Sequence, residues 1–140
     1  MPVGLRVDAN AAVLDARFDD FGESVGGVLV SRAGNTPLAV PERMANVWVT
    51  WDPTRDWQGR VGVRYVGGRF LNNANRIAVP HYAVVDAGAR RRVGERLAVD
   101  LRLYNLFDRF YAHNIYGGAT SPQWLLGRPR SAEVAITARF

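Results

Sequence analysis

The sequence of 140 residues contains no cysteine, no lysine and no long apolar run. Without cysteine, the chain has neither disulfides nor thiolate metal ligands. No apolar run approaches the ~20 residues that a membrane-spanning helix requires. The net charge of +5 comes from 18 arginines, which are scattered singly apart from the run Arg90–Arg91–Arg92. The scattered arginines are expected to form a solvated or lumenal lining, whereas the alternation places Arg91 outward near the rim, where its side chain would reach headgroups or turn solvent. Because no stacking aromatic residues are interleaved with that run, we expect no nucleic-acid partner.

The sequence also lacks a catalytic or cofactor-binding motif. The two histidines, His81 and His113, fall in separate expected loops, whereas a metal site requires several converging ligands. No nucleophile, base and orienting acid stand out. The stretch "GVRYVGG" lacks the spacing and the strand–helix context of a phosphate-binding loop. We therefore expect no enzymatic activity, no cofactor and no metal site.

Instead, the chain carries a repeated alternation of apolar and polar residues. In the last stretch, Val134, Ile136, Ala138 and Phe140 share one face, and Arg139 and the other intervening residues lie on the opposite face. A period of two predicts β-strands with one apolar face. Six segments have this pattern: 5–13, 46–51, 60–67, 82–90, 96–104 and 132–140. The sequence thus predicts an all-β fold of about six strands.

The connections between these segments alternate between long and short. The short ones are "DPTRD", which has turn chemistry, and the hairpin-sized Gly94–Glu95. In an antiparallel up-and-down meander, this order places all long loops on one rim, as in outer-membrane barrels. The polar faces of the segments carry charges that a dry, narrow interior would not tolerate without complete pairing. These charges are Arg60, Arg64, Asp86, Arg90, Asp100 and Arg102. We therefore expect the sheet to be one sector of a wider, wet barrel.

Several motifs resemble one family of bacterial receptors. The stretch "YNLFDRFY", residues 104–111, resembles the Asn-Leu-Phe-Asp element in the penultimate strand of TonB-dependent outer-membrane receptors. The ending "GRPRSAEVAITARF" is similar to the last strand of that family, and "DARFDDF" and "GVRYVG" resemble preceding elements in the same order. The resemblance implies the C-terminal sector of a transmembrane β-barrel of about 22 strands in the outer membrane of a Gram-negative bacterium. It also implies uptake of a scarce nutrient, most often a ferric siderophore.

The resemblance implies a partial barrel domain over residues 1–140, a fragment without the plug and the N-terminal strands. It implies outer-membrane lipid, an iron-siderophore ligand and the barrel-assembly machinery as partners. The TonB energy-transducing complex would be engaged through the N-terminal segment that this sequence lacks. The C-terminal aromatic resembles the assembly signal of the family. By this resemblance, the signal comprises Val134, Ile136, Ala138 and Phe140.

Cationic and aromatic residues on the long-loop rim suit an anionic, aromatic or oxygen-rich iron chelate. The candidate ligand-binding residues are Arg32, Arg43, Arg76, His81, His113, Tyr116 and Trp124. The alternative is that these side chains only connect the loops or contact lipopolysaccharide. Aromatic residues near strand ends are expected to form interfacial girdles, with packing of some of them within loops as the alternative. These are Trp51, Tyr65, Phe70, Phe107, Phe110 and Tyr111.

One other class of protein remains compatible with the alternation. A soluble all-β module that binds a small ligand would also alternate, with its apolar residues in a closed core. Burial separates the two interpretations, because only the soluble module hides the apolar face within its own chain. Such a module would also fold without detergent.

Overall fold

A computed structural model describes residues 4–116, 121 and 123–140 of the chain. Throughout these ranges, the regular secondary structure is β-strand. Six long strands form one antiparallel sheet, and they are neighbours in the order in which they occur along the chain. These strands are β1 (Gly4–Val13), β4 (Arg43–Asp52), β5 (Trp57–Val66), β8 (Tyr82–Val93), β9 (Leu97–Tyr104) and β12 (Ser131–Ala138). The predicted six-strand meander is confirmed.

Six further short strands lie inside the long connections and were not predicted from the alternation. They form three separate two-stranded ladders. The pairs are β2 (Gly22–Val25) with β3 (Val28–Ser31), β6 (Arg69–Phe70) with β7 (Ala78–Val79), and β10 (Ala112–Tyr116) with β11 (Gln123–Leu126). Each long connection therefore has ordered backbone pairing of its own.

The register separates the six long strands into one apolar and one polar face. Because side chains alternate along a strand, residues aligned across the ladder share a face. One aligned row across the whole sheet reads Val7, Val49, Val61, Ala87, Leu103 and Ala132. A row on the opposite face reads Arg6, Thr50, Arg60, Gly88, Arg102 and Glu133. The assignment of faces predicted from the sequence is confirmed.

The apolar face is not covered by any other part of the described chain. Val7 is 60% exposed and Ile136 is 69% exposed, and many of their apolar neighbours are also exposed. The closed core that a soluble all-β module requires is therefore missing from this face, so that alternative is not supported. The strands β1 and β12 form the two edges of the sheet, and the sheet does not close on itself.

The connections lie at opposite ends of the sheet according to their length. The two tight turns, residues 53–56 and 94–96, lie at one end. The three long connections, residues 14–42, 67–81 and 105–130, lie at the other end, which we call the long-loop rim. Among the residues that the structure describes, no helix is both long enough and apolar enough to cross a membrane.

The buried side chains are concentrated beneath the long-loop rim. Tyr82 and Val84 occupy polar-face positions at the start of β8, and Tyr111 from the third long connection packs against them. The ring centroids of Tyr82 and Tyr111 are 4.3 Å apart. Tyr111 is therefore a buried residue, and its predicted membership of an interfacial girdle is wrong. The third connection folds inward over the polar face, which the local sequence pattern does not reveal.

Candidate ligand-binding rim

Two asparagines of the second long connection join it to the first. The Asn35 Nδ2 group donates to the Asn73 backbone carbonyl at 2.7 Å. The Asn75 side chain accepts a hydrogen bond from the Thr36 N–H at 2.8 Å and donates to the Thr36 carbonyl at 2.7 Å. Asn75 has a φ of 54°, a left-handed conformation that asparagine tolerates better than most residues. The two connections are therefore held together by a reciprocal side-chain-to-backbone contact.

Arg69 joins the second long connection to the third. Its Nη2 atom donates to the backbone carbonyls of Ala112 at 3.1 Å and His113 at 3.0 Å. Its guanidinium carbon lies 6.0 Å from the centre of the Tyr82 ring. Arg69 is only 7% exposed, and its Nη1 atom is buried without a hydrogen-bond partner. A buried arginine therefore positions the backbone of β10 relative to β6.

The "YNLFD" stretch forms a compact turn that anchors the third connection. The Asn105 N–H donates to the Asp86 carboxylate at 2.7 Å. The Asn105 side chain donates to the carbonyls of Arg109 and Arg128, both at 2.9 Å, and accepts from the Arg109 N–H. Asp108 accepts from the Arg130 N–H at 2.9 Å. The motif that suggested the family is thus the junction between β8, β9 and the approach to β12.

The polar face below this rim is lined by paired and stacked charges. The Arg60 guanidinium lies 3.9 Å from the centre of the Trp48 ring. Arg102 pairs with Glu133 at 3.2 Å, and Arg90 lies 3.8 Å from Asp100. The Trp48 ring lies over its cross-strand partner position, Gly62, where a Cβ atom would collide with the indole. The predicted charged lining is therefore present, and among its predicted arginines Arg102 is the most closely paired, whereas the Arg90 Nε atom is buried without a hydrogen-bond partner.

The structure divides the candidate ligand-binding residues into separate groups. Arg32 pairs with Glu23 at 2.8 Å within the first connection. Arg43 is the first residue of β4, and its side chain lies on the same outward face of the sheet as Val13 and Ala45. Its predicted place in a loop is therefore wrong. Its position follows from continuation of the β4 ladder beyond the segment with obvious alternation.

Other candidates do lie on the long-loop rim. Arg76 and His81 are exposed, and His81 lies 6.0 Å from the Tyr65 ring. His113 is exposed on β10, and Trp124 is 47% exposed on β11. Tyr116 pairs with Gln123 in this ladder, but its side chain lies outside the described part of the chain. The β10–β11 ladder therefore carries His113 and Trp124, whereas Arg76 and His81 belong to the second connection.

Sequence reasoning missed the residues that connect the loops. Arg69, Asn73, Asn75 and Asn105 make contacts with residues far away in the chain. The repeated asparagines of "NNANR" were an available signal, because asparagine favours turns and left-handed backbone. The role of Arg69 had no comparable local signal.

The proposed assembly signal lies on the free edge strand. Val134 and Ile136 are exposed on the apolar face, and Ala138 pairs with Leu97 in the same alignment. Phe140 follows the strand and is fully exposed. The outward alternation is therefore present as far as Ala138, and the use of these residues as a signal stays a prediction.

Comparison with known proteins identifies the fold and the family. A family model described as TonB dependent receptor-like, beta-barrel matches residues 4–106. The chain is 32% identical over 113 residues to the ferrioxamine receptor of Yersinia enterocolitica, covering 76% of the chain and 16% of that receptor. It is 39% identical over 118 residues to the ferrichrome outer membrane transporter/phage receptor of Escherichia coli K12, covering 76% of the chain and 15% of that protein.

A solved structure shows the same arrangement of strands. The siderophore receptor PiuA from Acinetobacter baumannii superposes with a TM-score of 0.82 at 25% identity, covering 94% of this chain and 19% of that receptor. The chain spans about a sixth of the length of the curated relatives cited above. Together with the matched family model, these similarities show that the chain belongs to the β-barrel family of TonB-dependent outer-membrane receptors.

Proposed function

We propose that residues 1–140 form the C-terminal sector of the barrel of an outer-membrane receptor that imports a ferric siderophore. The observation that carries the proposal is the long-loop rim, whose three connections are joined by Asn73, Asn75 and Arg69. Recognition residues are commonly found on loops that a rigid scaffold positions. Several relatives are named as receptors for ferrioxamine, ferrichrome or catecholate siderophores, which supports the same ligand class here.

The rim offers chemistry suited to an oxygen-rich chelate. Arg76 presents an exposed guanidinium, and His113 and Trp124 are exposed on neighbouring strands. A guanidinium forms strong charge-assisted hydrogen bonds with anionic oxygens, and an indole packs against flat or apolar parts of a ligand. We therefore assign ligand capture to this rim, with Arg76, His81, His113, Tyr116 and Trp124 as candidate contacts.

The remaining partners follow from the same proposal. The apolar face would contact outer-membrane lipid, and the Phe140 end would be recognised by the barrel-assembly machinery. Energy for import would come from the TonB complex, through a part of the receptor outside this sequence. The family comprises receptors and transporters. We accordingly assign the chain a transport role without catalysis.

The proposal predicts that Arg76→Ala in the intact receptor reduces iron uptake. Arg96→Ala is the matched control, because it removes another exposed arginine, at the tight-turn end. Labelled-iron accumulation is measured in iron-starved cells supplied with one hydroxamate or catecholate chelate at a time. We expect a loss of at least about tenfold for Arg76→Ala, since a hydrogen bond to a charged group contributes about 1.5–3 kcal/mol.

The receptor level in the outer membrane is measured in parallel by heat-modifiable mobility. Equal uptake by both variants, at equal level, would exclude Arg76 from ligand capture. If the unmodified receptor accumulates no iron from any chelate, the assignment of a siderophore is wrong, and the family membership is unaffected.

A further inference from the structure

An arginine and a tryptophan form a stacked pair at the tight-turn end of the apolar face. Trp57 is the first residue of β5, and its cross-strand partner in β8 is Arg91. The Arg91 guanidinium carbon lies 5.0 Å from the centre of the Trp57 ring. Trp57 points to the same side of β5 as Val61, and Arg91 points to the same side of β8 as Ala87. The pair therefore lies on the apolar face, at its margin.

The charge of Arg91 has no counter-ion within the described chain. Arg91 is exposed and forms no ion pair with the acidic residues of the described ranges. A guanidinium over an indole gains cation–π attraction, while its N–H donors remain available at the edge of the plane. The geometry thus presents unused donors beside an apolar surface.

The length of the apolar face places this pair at a membrane boundary. Along β5, Trp57 and Tyr65 mark the two ends of the outward-facing residues, and Tyr65 lies beside His81 at the long-loop rim. The stretch between them has the length of about nine residues that a tilted transmembrane strand requires. Aromatic residues occupy the interfaces of such barrels, and short turns lie on the periplasmic side. Arg91 would therefore lie at the depth of the periplasmic headgroups.

We propose that Arg91 and Trp57 bind the phosphate group of a phospholipid in the periplasmic leaflet. Arg91 donates hydrogen bonds to the phosphate oxygens, and Trp57 holds the guanidinium and packs against the adjoining glycerol and acyl region. The apolar residues Val61 and Val99, on the same face, provide a surface for the acyl chains. This inference rests on the proposed function, because it requires the sheet to lie in the outer membrane.

The neighbouring arginine supplies a matched control. Arg92 has the same charge and lies in the same strand as Arg91. Its cross-strand partner is Ala98, and its side chain lies on the polar face of the sheet. Its backbone N–H donates to the Asp56 carbonyl, a contact that does not depend on the side chain. Replacement of Arg92 should therefore leave a lipid site on the outer face unchanged.

The experiment is a lipid titration of the intact receptor, purified in detergent and measured by native mass spectrometry. Wild type and each variant are titrated in one mixture. Lipid sites that both proteins share then contribute equally to the two binding curves, and the difference between the curves reports the substituted residue. The probes are phosphatidylglycerol, diacylglycerol without phosphate, and inorganic phosphate as a competitor. We expect Arg91→Ala to weaken phosphatidylglycerol binding about fivefold, the effect of one basic residue at a membrane surface. Arg91→Lys should weaken it less, and Arg92→Ala should match the wild type.

A second variant tests the pair independently of the charge. Trp57→Leu keeps the arginine and removes the ring, so it should also weaken phosphatidylglycerol binding. The folded state of each variant is checked by heat-modifiable mobility. Diacylglycerol should bind wild type and Arg91→Ala equally, and inorganic phosphate at millimolar concentration should not displace the lipid.

Three results would overturn the inference. The first is that the Arg91→Ala and Trp57→Leu variants both bind phosphatidylglycerol as tightly as the wild type. The second is that Arg92→Ala weakens phosphatidylglycerol binding as much as Arg91→Ala does. The third is that inorganic phosphate displaces the lipid. If the receptor needs detergent and gives one of these results, the lipid-site inference is wrong and the proposed function is unaffected. A receptor that is soluble without detergent would instead refute the proposed function itself.

Discussion

At the scale of single residues, Arg69 is the side chain on which the long-loop rim depends most directly. Its Nη2 atom donates to two carbonyls of β10, whereas its Nη1 atom remains unpartnered. A buried charge is costly unless it is compensated, and the nearby Tyr82 ring supplies part of that compensation. The role of Arg69 is therefore to position the third connection, because burial of its charge would by itself contribute little to the stability of the fold.

Replacement of Arg69 by methionine should loosen the third connection. Methionine keeps an apolar stem, but it leaves the carbonyls of Ala112 and His113 without their donor. Loss of a charged donor costs about 1.5–3 kcal/mol. We expect amide hydrogen exchange in β10 and β11 to accelerate by at least about tenfold in the intact receptor. Arg76→Met is the control, because the Arg76 hydrogen bond comes from its backbone.

Exchange rates that are equal in the Arg69 and Arg76 variants would show that Arg69 does not position this connection. A global rise in exchange throughout the six long strands would indicate general destabilisation instead, which also contradicts the positioning role.

At the scale of elements, the last strand is held on one side only. Within the described chain, β12 pairs with β9, and its other edge is free. The turn at Asn105 and Asp108 fixes its approach, through hydrogen bonds to the carbonyl of Arg128 and the N–H of Arg130. An exposed strand edge is a template for pairing with another strand. In the proposed intact receptor this edge would pair with a further strand of the barrel, and recognition of the Phe140 end during assembly stays a prediction.

Deletion of Phe140 should impair insertion of the intact receptor more than Arg139→Ala does. Phe140 continues the alternation of Val134 and Ile136 in the sequence and is fully exposed, so its loss should have little effect on packing. Arg139 contacts the Arg96 carbonyl through its backbone N–H, and an alanine retains that bond. Heat-modifiable barrel in outer-membrane fractions is the measurement. The same level of barrel in both variants would argue against an assembly role for Phe140.

At the scale of the whole molecule, one continuous apolar surface crosses all six long strands. Aligned residues from β1 to β12 contribute to it, and its members are exposed within this chain. A single sheet has no second layer to cover such a face, so an intact protein would need to cover it with something outside the described chain. Lipid is the covering that the proposed function supplies, and the aromatic residues Trp57 and Tyr65 mark the two ends of the surface along β5, as in an interfacial girdle.

A charge at the centre of this surface should cost more than a charge at its margin. Leu101→Arg lies midway along β9, and Leu97→Arg lies on the same face beside the tight turn. We expect the first to lower the free energy of unfolding by about 2–4 kcal/mol and the second by about 0–1 kcal/mol, as lipid-facing arginine does at these depths. Urea unfolding of the intact receptor in lipid vesicles measures both. Equal losses would show that the face does not span a bilayer.

The amino-acid sequence by itself determined the six long strands, the two faces and the alternation of long and short connections. These features are local, because a period of two depends only on neighbouring residues and a turn depends on a few. The segments at 5–13 and 132–140 differ from β1 and β12 by at most two residues at each end. The motif "YNLFD" also indicated the family, although its role as a junction was not evident.

Only the tertiary structure decided how the rim is assembled. Tyr111 turns inward against Tyr82, Arg43 continues the β4 ladder, and Arg69 reaches across to β10. These positions depend on residues that are 29, 30 and 43 places away in the chain, respectively. A local pattern cannot specify such contacts, because the free energy of each depends on which distant groups the sheet brings together.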